Sequence, residues 1–380
     1  MSYAFRPLFL LMALFAVLTM LVWLIARHGI APTSMFGFTP YWHGHELIVG
    51  FAMAAMGGFV LTAVATWTGR PPVKGLPLLF LVLTWVFGRV AMLASTGIPP
   101  WFTAALDMLF PISLVWLVGR EVIGGGSRRN YPIIGITVLL ALLNGSYHAS
   151  ILLHRPDMQR LALHLIIYLI LVLITVIAGR IIPNFTANWL RARGEVRLPI
   201  IDALVDRLTI ISTLTAGIAA AISPFGSVTA GAAALAAMLH TIRLARWRGL
   251  ATISEPLLFV LHVAYLWLPI GFALTAFVAI GALLPTTAAL HALTMGAIAT
   301  MILAVSTRVA LAHTGRPLHA PRLIVLSYWI FTIAVIVRIL SPLNAGSYME
   351  MIDTSAVGWI ATFIIFAWVY WPILTRPSVE

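Results

Sequence analysis

Long apolar runs, each about 18–25 residues, recur along the whole chain with only short polar connections between them. An α-helix of this length crosses the ~30 Å hydrocarbon core of a bilayer at a rise of about 1.5 Å per residue. The pattern predicts an all-α, polytopic membrane bundle forming a single transmembrane domain over residues 1–380. Its twelve helices, numbered 1 to 12 in chain order, are predicted near 8–26, 45–67, 76–96, 101–119, 131–153, 160–182, 203–222, 227–243, 256–283, 287–311, 321–340 and 355–374.

The composition supports a membrane protein. Hydrophobic residues make up 61% of the chain and charged residues only 9%, whereas soluble domains are about one quarter charged. The net charge of +12 arises from Lys and Arg in the short connections, so we expect a lipid bilayer and no nucleic acid as partner. The absence of cysteine excludes disulfides, iron–sulfur clusters and a c-type haem. The first apolar run has no small-residue cleavage site, which indicates a retained helix.

The basic residues predict the orientation of the helices. Connections after even-numbered helices carry most of the Arg and Lys, whereas those after odd-numbered helices offer only Arg27, Arg155 and Arg160. Because basic loops stay in the cytoplasm, both termini are predicted to be cytoplasmic, in a bacterial inner membrane. Helix 2 then begins at the outer side, where the segment Trp42-His43-Gly44-His45-Glu46 lies. Trp42 itself is most simply an interfacial anchor.

Helices 2 and 10 match each other as an internal repeat. An offset of 246 residues places His291 on His45, and it aligns the two Thr-Gly-Arg-Pro segments that follow these helices. Helix 6 is a weaker copy, with His164 near its outer start and a Gly-Arg…Pro segment at its predicted inner end. The pattern predicts a pseudo-threefold bundle of three four-helix quarters. The alternative is coincidence, because glycine and proline commonly end helices.

Five histidines are predicted at one depth near the outer face, where imidazoles could bind a transition metal or haem. A lone buried histidine is more often bonded to a backbone carbonyl, but five at one level favour a metal or haem site. They are His43, His45, His148, His164 and His291.

Two arginines, Arg89 and Arg338, are predicted inside the membrane and need anionic partners. Haem propionates would serve, as would Glu46, Asp107 or Asp353, which are also predicted at the outer side. Tyr147 and Asn144 could donate a hydrogen bond to a bound ligand or could simply be packing residues.

On the inner half, His240 and His262 are candidates for a second haem or a quinone headgroup. The plainer interpretation makes His240 an interfacial residue. Acidic residues are scarce inside the inner half of the bundle, so protons are expected to arrive from outside.

Several motifs together resemble the NnrS family, over essentially the full chain. They are Phe5-Arg6-Pro7-Leu8-Phe9, Trp42-His43-Gly44-His45-Glu46, Gly58-Phe59, Trp67-Thr68-Gly69-Arg70-Pro71-Pro72, Gly88-Arg89, Pro183-Asn184-Phe185-Thr186 and the segment from His291 to Pro317. Members are bacterial inner-membrane proteins with twelve helices, associated with haem and copper, that protect cells against nitric oxide. The resemblance implies haem b, a second metal that is copper or iron, and nitric oxide as the ligand, without assigning individual metal-binding residues.

The predicted arrangement is also similar to that of haem–copper oxidases and respiratory nitric oxide reductases. These enzymes set twelve helices in three arcs, with histidine ligands on helices corresponding to 2, 6, 7 and 10. Helix 7 of this chain contains no histidine. His148 on helix 5 would have to substitute.

These features lead to the hypothesis of a nitric oxide reductase that forms nitrous oxide at a haem–metal pair near the outer face. The five histidines would divide between haem and metal, with His262 as a further haem candidate, and Arg89 and Arg338 would anchor propionates. Glu46 would supply protons and Tyr147 would contact the bound ligand. Electrons would come from quinol or a periplasmic redox protein. The alternatives are a haem protein that binds or senses nitric oxide without turnover, and a twelve-helix transporter.

Overall fold

The computed structural model describes residues 3–30 and 40–379 and contains twelve helices long and apolar enough to cross a membrane. No strand occurs within those two ranges. The prediction of an all-α, multi-pass membrane protein is therefore confirmed. The helices are α1 (Phe5–Arg27), α2 (Pro40–Thr68), α3 (Leu76–Leu93), α4 (Pro100–Gly124), α5 (Tyr131–Leu152), α6 (Pro156–Arg191), α7 (Ala203–Ile222), α8 (Ser227–Ala245), α9 (Pro256–Ala279), α10 (Thr286–Ala312), α11 (Arg322–Leu340) and α12 (Tyr348–Thr375).

The prediction that helix 6 ends at a Gly-Arg…Pro turn is wrong, because α6 continues through Pro183 to Arg191. Proline lacks an N–H and usually interrupts a helix, but membrane helices tolerate it where neighbouring groups satisfy the exposed carbonyls. The side-chain amide of Asn184 donates to the carbonyl of Arg180 at 2.6 Å, next to the Gly179 carbonyl that Pro183 leaves without its helical donor. The inner-end resemblance of helix 6 to helices 2 and 10 is therefore lost.

The structure supports the repeat between helices 2 and 10 at their inner ends. Gly69 follows α2 with a φ of 68°, and Gly315, 246 residues later, follows α10 with a φ of 71°. Left-handed φ values favour glycine, which is why it is common just after a helix. Both Thr-Gly-Arg-Pro segments therefore act as helix stops of the same kind.

The same two helices share an irregularity that the sequence pattern did not predict. Each changes to π-helix immediately after its histidine, at Glu46–Ala52 in α2 and at Ala292–Ala299 in α10. π-helical turns are rare and are frequently found at functional sites. Both contain a glycine against which a tryptophan packs, Gly50 beside Trp85 and Gly296 beside Trp267. The wider pseudo-threefold arrangement stays a prediction.

The helices form two compact units, each with its own core. The first comprises Met1–Ile166, Val309–Arg316 and Phe366–Glu380, and the second comprises Ile167–Arg308 and Pro317–Ile365. In the second unit, buried Arg243 donates to Asp206 at 2.7 Å and to the Tyr265 hydroxyl at 3.1 Å. The prediction of one domain over residues 1–380 stays a prediction.

Replacing Gly50 with alanine is expected to destabilise the first unit. A Cβ atom there would lie 2.5 Å from the Phe15 ring and 2.9 Å from the Arg89 guanidinium, and overpacking of this kind typically costs about 1–3 kcal/mol. The apparent Tm in detergent should fall by several degrees. The control is Gly57→Ala on the same helix, whose Cβ would make ordinary contact with Leu114 at 3.4 Å; equal Tm values for the two variants would contradict the prediction.

Candidate metal centre

His45, Asp107 and His148 form a buried group in the first unit whose ligand atoms all lie within 4.8 Å of one another. The Nε2 atom of His148 lies 2.8 Å from Oδ2 of Asp107, and Nε2 of His45 lies 3.4 Å from the same oxygen. The side chains of His45 and Asp107 are fully buried, and that of His148 is 4% exposed. Two imidazoles and a carboxylate therefore converge on one point.

Three helices carry this group, and a fourth packs against it. His45 is on α2 directly before the π-helical segment, Asp107 is on α4, and His148 is on α5. Helix α3 approaches α4 closely at Gly88, where a Cβ atom would lie 3.1 Å from the Cα of Asp107. This contact places the next residue, Arg89, beside the group.

Arg89 connects the two carboxylates of the site. Its guanidinium donates to Oε1 of Glu46 at 2.5 Å and to Oδ1 of Asp107. Arg89, Glu46 and Asp107 are all at least 95% buried. Since isolated charges inside a membrane protein are costly, Arg89 stabilises both carboxyl groups by lying between them.

Hydrogen bonds hold both ring nitrogens of His45. Asn144 donates its side-chain amide to Oδ2 of Asp107 at 2.7 Å, so its oxygen accepts from Nε2 of His45 at 2.9 Å. The other ring nitrogen, Nδ1, lies 2.8 Å from Oε1 of Glu46. The orientation of the His45 ring is therefore fixed from two sides.

The group is compact enough to hold a single metal ion. Two atoms each about 2.1 Å from one ion are about 3.0 Å apart at a right angle and about 3.4 Å apart at the tetrahedral angle. The distances from Oδ2 of Asp107 to His148 and His45, 2.8 and 3.4 Å, are close to these values. Two histidines and one carboxylate are a ligand set typical of non-haem iron. Glu46 would orient His45 from behind, as carboxylates commonly do for metal-bound histidines.

A porphyrin does not fit at the same place. Only 3.4 Å separates Nε2 of His45 from Oδ2 of Asp107, and the Tyr147 ring stacks on the His45 ring at a centroid distance of 4.4 Å. The contacts therefore favour the metal role that we predicted for His45 over its haem role.

A cavity of about 470 Å³, lined by polar and apolar residues, leads to the group from the side where α2 and α6 begin. We call it the outer cavity; its lining includes Thr103, Tyr147, His148, His154, Arg155 and Gln159. Tyr147 is 2% exposed and meets His148 edge-on at 5.4 Å between ring centroids. Water and small solutes can therefore approach the group past Tyr147 and His148.

A family model for the NnrS protein matches residues 1–378, essentially the whole chain. The chain belongs to the NnrS family. No curated protein matches it. Membership confirms the resemblance found in the sequence motifs and fits a role in the response to nitric oxide.

The structure brings five of the predicted site residues of this NnrS protein together: His45, Glu46, Arg89, Tyr147 and His148. The anionic partners of Arg89 are Glu46 and Asp107, which were the protein alternatives to a haem propionate. Tyr147 provides a wall of the site, as expected for a residue that contacts a bound ligand.

The other predicted metal ligands lie outside the His45 group. His43 stacks on Trp23, with ring centroids 4.4 Å apart; two residues along a helix turn its side chain about 200° away from that of His45. His164 donates Nδ1 to the carbonyl of Arg160 at 2.8 Å, and His291, in the second unit, donates to the carbonyl of Thr287 at 2.7 Å. Because Nδ1 donates in both rings, Nε2 is the atom through which His164 or His291 could bind a metal. A metal role for His43, His164 and His291 stays a prediction.

Packing argues against haem at the two inner histidines. His262 bonds Thr186 at 2.9 Å through Nε2, and its Nδ1 packs so closely on Gly249 that a Cβ atom there would lie 2.7 Å away. His240 is fully buried between Tyr265 and Thr213, so its interpretation as an interfacial residue is wrong. Arg338 donates to Ser341 at 3.0 Å; its role as a propionate anchor stays a prediction.

Sequence reasoning treated Asp107 only as an ion-pair partner and did not include it among the candidate metal ligands. A signal was present, because the offset of 246 residues that relates His45 to His291 also relates Asp107 to Asp353. A repeat that preserves both a histidine and an aspartate indicates a paired function for the two residues.

Replacing His148 with alanine is expected to remove the non-haem metal, because it deletes one of only three protein ligands. The purified variant should contain less than about one tenth of the wild-type non-haem copper, iron or zinc, since loss of a residue that merely orients a ligand already costs about 10–100-fold in affinity. Elemental analysis by mass spectrometry, with haem quantified separately, measures this.

The control is His154→Ala, which removes an exposed histidine with a φ of 53° from the same outer cavity. Equal non-haem metal contents in the His148 and His154 variants would refute the site.

Proposed function

We propose that this chain is a membrane nitric oxide reductase that converts two nitric oxide molecules, two electrons and two protons into nitrous oxide and water. The observation that carries the proposal is the buried group of His45, Asp107 and His148, reached through the outer cavity. Family membership supplies the link to nitric oxide. The group is the right kind of site for a metal that binds a diatomic ligand, because three protein ligands leave coordination positions open.

A metal ion held by these three residues would stabilise the negative charge that develops as two nitric oxide molecules couple. The protein residues have separate roles around it. Glu46 fixes the orientation of the His45 ring, and Arg89 holds both carboxylates in place. Tyr147 covers the His45 ring and limits the space for water.

Haem b is the second cofactor of the proposal. We favour His291 as its ligand, since Nδ1 of this ring is fixed by Thr287 and the packing around His45 and His262 leaves no space for a porphyrin; His43 and His164 are the other predicted candidates. Quinol or a periplasmic redox protein would donate electrons. We place the chain in the bacterial inner membrane with both termini in the cytoplasm, so that the outer cavity opens to the periplasm.

The experiment is to purify the full-length protein in detergent, supply ascorbate and phenazine methosulfate, and follow nitric oxide anaerobically with an electrode. Nitrous oxide is quantified by gas chromatography. The wild-type protein should form one nitrous oxide for every two nitric oxide molecules consumed. The His148→Ala variant should fall to the background rate, while His154→Ala should retain the wild-type rate.

Replacing Glu46 with glutamine should slow the reaction about 10–100-fold, because residues that orient a metal ligand typically contribute that much. Glutamine keeps the size of the side chain but lacks the negative charge that His45 and Arg89 share. A Glu46→Gln variant as fast as the wild type would show that the carboxylate is not needed.

Binding of nitric oxide without turnover is the second candidate function. It is favoured by the observation that the described residues contain one group of three side chains that could bind a metal, whereas coupling two nitric oxide molecules is easier to explain with two metal centres. A nitrosyl optical signal without nitrous oxide would establish binding and overturn the reductase. Neither signal nor consumption would overturn both.

A further inference from the structure

A second cavity reaches the charged network from the apolar surface of the first unit. This lateral cavity has a volume of about 250 Å³ and lies among α1, α2 and α3. Its outer lining includes Leu14, Leu18 and Val90, which are 45%, 48% and 59% exposed on membrane-crossing helices. The mouth of the cavity is therefore in the surface that faces lipid.

Three polar side chains border the buried end of the lateral cavity, whereas its mouth is apolar. Thr19, Glu46 and Arg89 line it and are each at least 95% buried. The Thr19 hydroxyl and Nε of Arg89 make no hydrogen bond within the part of the chain that the structure describes. Buried polar groups are almost always paired in proteins, so these two atoms can pair with the polar end of a ligand in the cavity.

Glu46 adds an acceptor to this end of the cavity. Both hydrogen bonds that it receives from described residues, from His45 and Arg89, go to Oε1. The second oxygen, Oε2, thus remains to accept from a ligand. The aromatic rings of Phe15 and Trp85, whose centroids are 5.3 Å apart, form an apolar wall of the cavity.

These features describe a ligand that enters from the membrane, has an aromatic ring and carries hydroxyl groups at its end. We propose that the lateral cavity binds the headgroup of a membrane-dissolved hydroquinone, the electron donor of the proposed reaction. The volume is below the range of about 300–1,000 Å³ for sites that enclose a whole drug-sized ligand, so the ring fits and an isoprenoid tail stays in the lipid. This inference rests on the proposed function for its reaction, but binding can be measured without it.

The reaction balances without a further reagent. Oxidation of one hydroquinone to the quinone breaks two O–H bonds and releases two electrons and two protons. Reduction of two nitric oxide molecules to nitrous oxide takes up two electrons, and the two protons form water with the oxygen that leaves. Glu46 connects the two sites structurally, because its Oε1 accepts from His45, one of the three residues of the metal group.

The test compares two cavity variants with matched controls in full-length protein reconstituted in nanodiscs. Val90→Trp fills the mouth of the cavity, and its control, Leu83→Trp, adds the same side chain at another lipid-facing position of α3 that is 42% exposed. Thr19→Val removes the buried hydroxyl without changing its size. Its control, Thr84→Val, removes a hydroxyl of α3 that donates to the Leu81 carbonyl and does not line the cavity.

The first readout is equilibrium binding of decylubiquinone, followed by quenching of tryptophan fluorescence. Thr19→Val should weaken binding about tenfold, which corresponds to 1.4 kcal/mol, and Val90→Trp should abolish it. The two control variants should bind as the wild type does. Equal binding by Val90→Trp and Leu83→Trp would overturn the proposal.

The second readout is the rate of nitric oxide consumption with decylubiquinol divided by the rate with ascorbate and phenazine methosulfate. This ratio should fall at least tenfold in both cavity variants and stay constant in the controls. If no donor supports consumption, the proposed function fails and decylubiquinone binding still decides the cavity. If Val90→Trp slows consumption equally with both donors and leaves quinone binding intact, the cavity admits nitric oxide and the hydroquinone site is refuted.

Discussion

The carboxylate of Asp107 is the constraint on which the first unit depends. It is fully buried on a membrane-crossing helix and contacts Arg89 of α3, His148 and Asn144 of α5, and His45 of α2. A buried charge that loses its partner typically costs 3–5 kcal/mol. The positions of four helices are therefore coupled to one side chain, and the close approach of α3 and α4 at Gly88 is part of the same requirement.

The repeat shows which features of the site in the first unit recur in the second unit and which do not. The offset of 246 residues relates the two histidines, the two π-helical segments, the two glycine helix stops and the starts of α3 at Leu76 and α11 at Arg322. It also places Ala292 at the position of Glu46 and Val335 at that of Arg89. The helix that carries the histidine is thus repeated, whereas Glu46 and Arg89, which complete the charged network of the first unit, have no counterpart at the equivalent positions of the second. This difference argues that the first unit holds the charged centre.

The sequence was sufficient for the number, class and approximate bounds of the helices, because hydrophobic length is the dominant signal in a membrane protein. It failed at α6, where Pro183 looked like a helix end but lies inside a continuous helix. It also identified His45, Glu46, Arg89, Tyr147 and His148 as members of a site.

What sequence could not supply was the direction of each side chain around its helix. Depth alone made His43 and His45 equivalent, although they point to different sides of α2, and a π-helical turn changes the facing of later residues in a way that no 3.6-residue periodicity reveals. Asp107 was missed as a candidate ligand for the same reason: its neighbours come from three other helices, and their lateral arrangement is a property of packing.

Trp42 lies between the two cavities that reach the site. It lines both the outer cavity and the lateral cavity, and it is 4% exposed with its indole N–H donating to the carbonyl of Met92 at 3.1 Å. The interpretation of Trp42 as an interfacial anchor is therefore wrong; the hydrogen bond holds the ring inside, between the two cavities. His148 borders the outer cavity and Glu46 borders the lateral one, so the charged network is reached from two sides. In the proposed reaction the lateral cavity would admit the lipid-dissolved hydroquinone, and the outer cavity, which has more polar lining residues, would give the product water a separate route out.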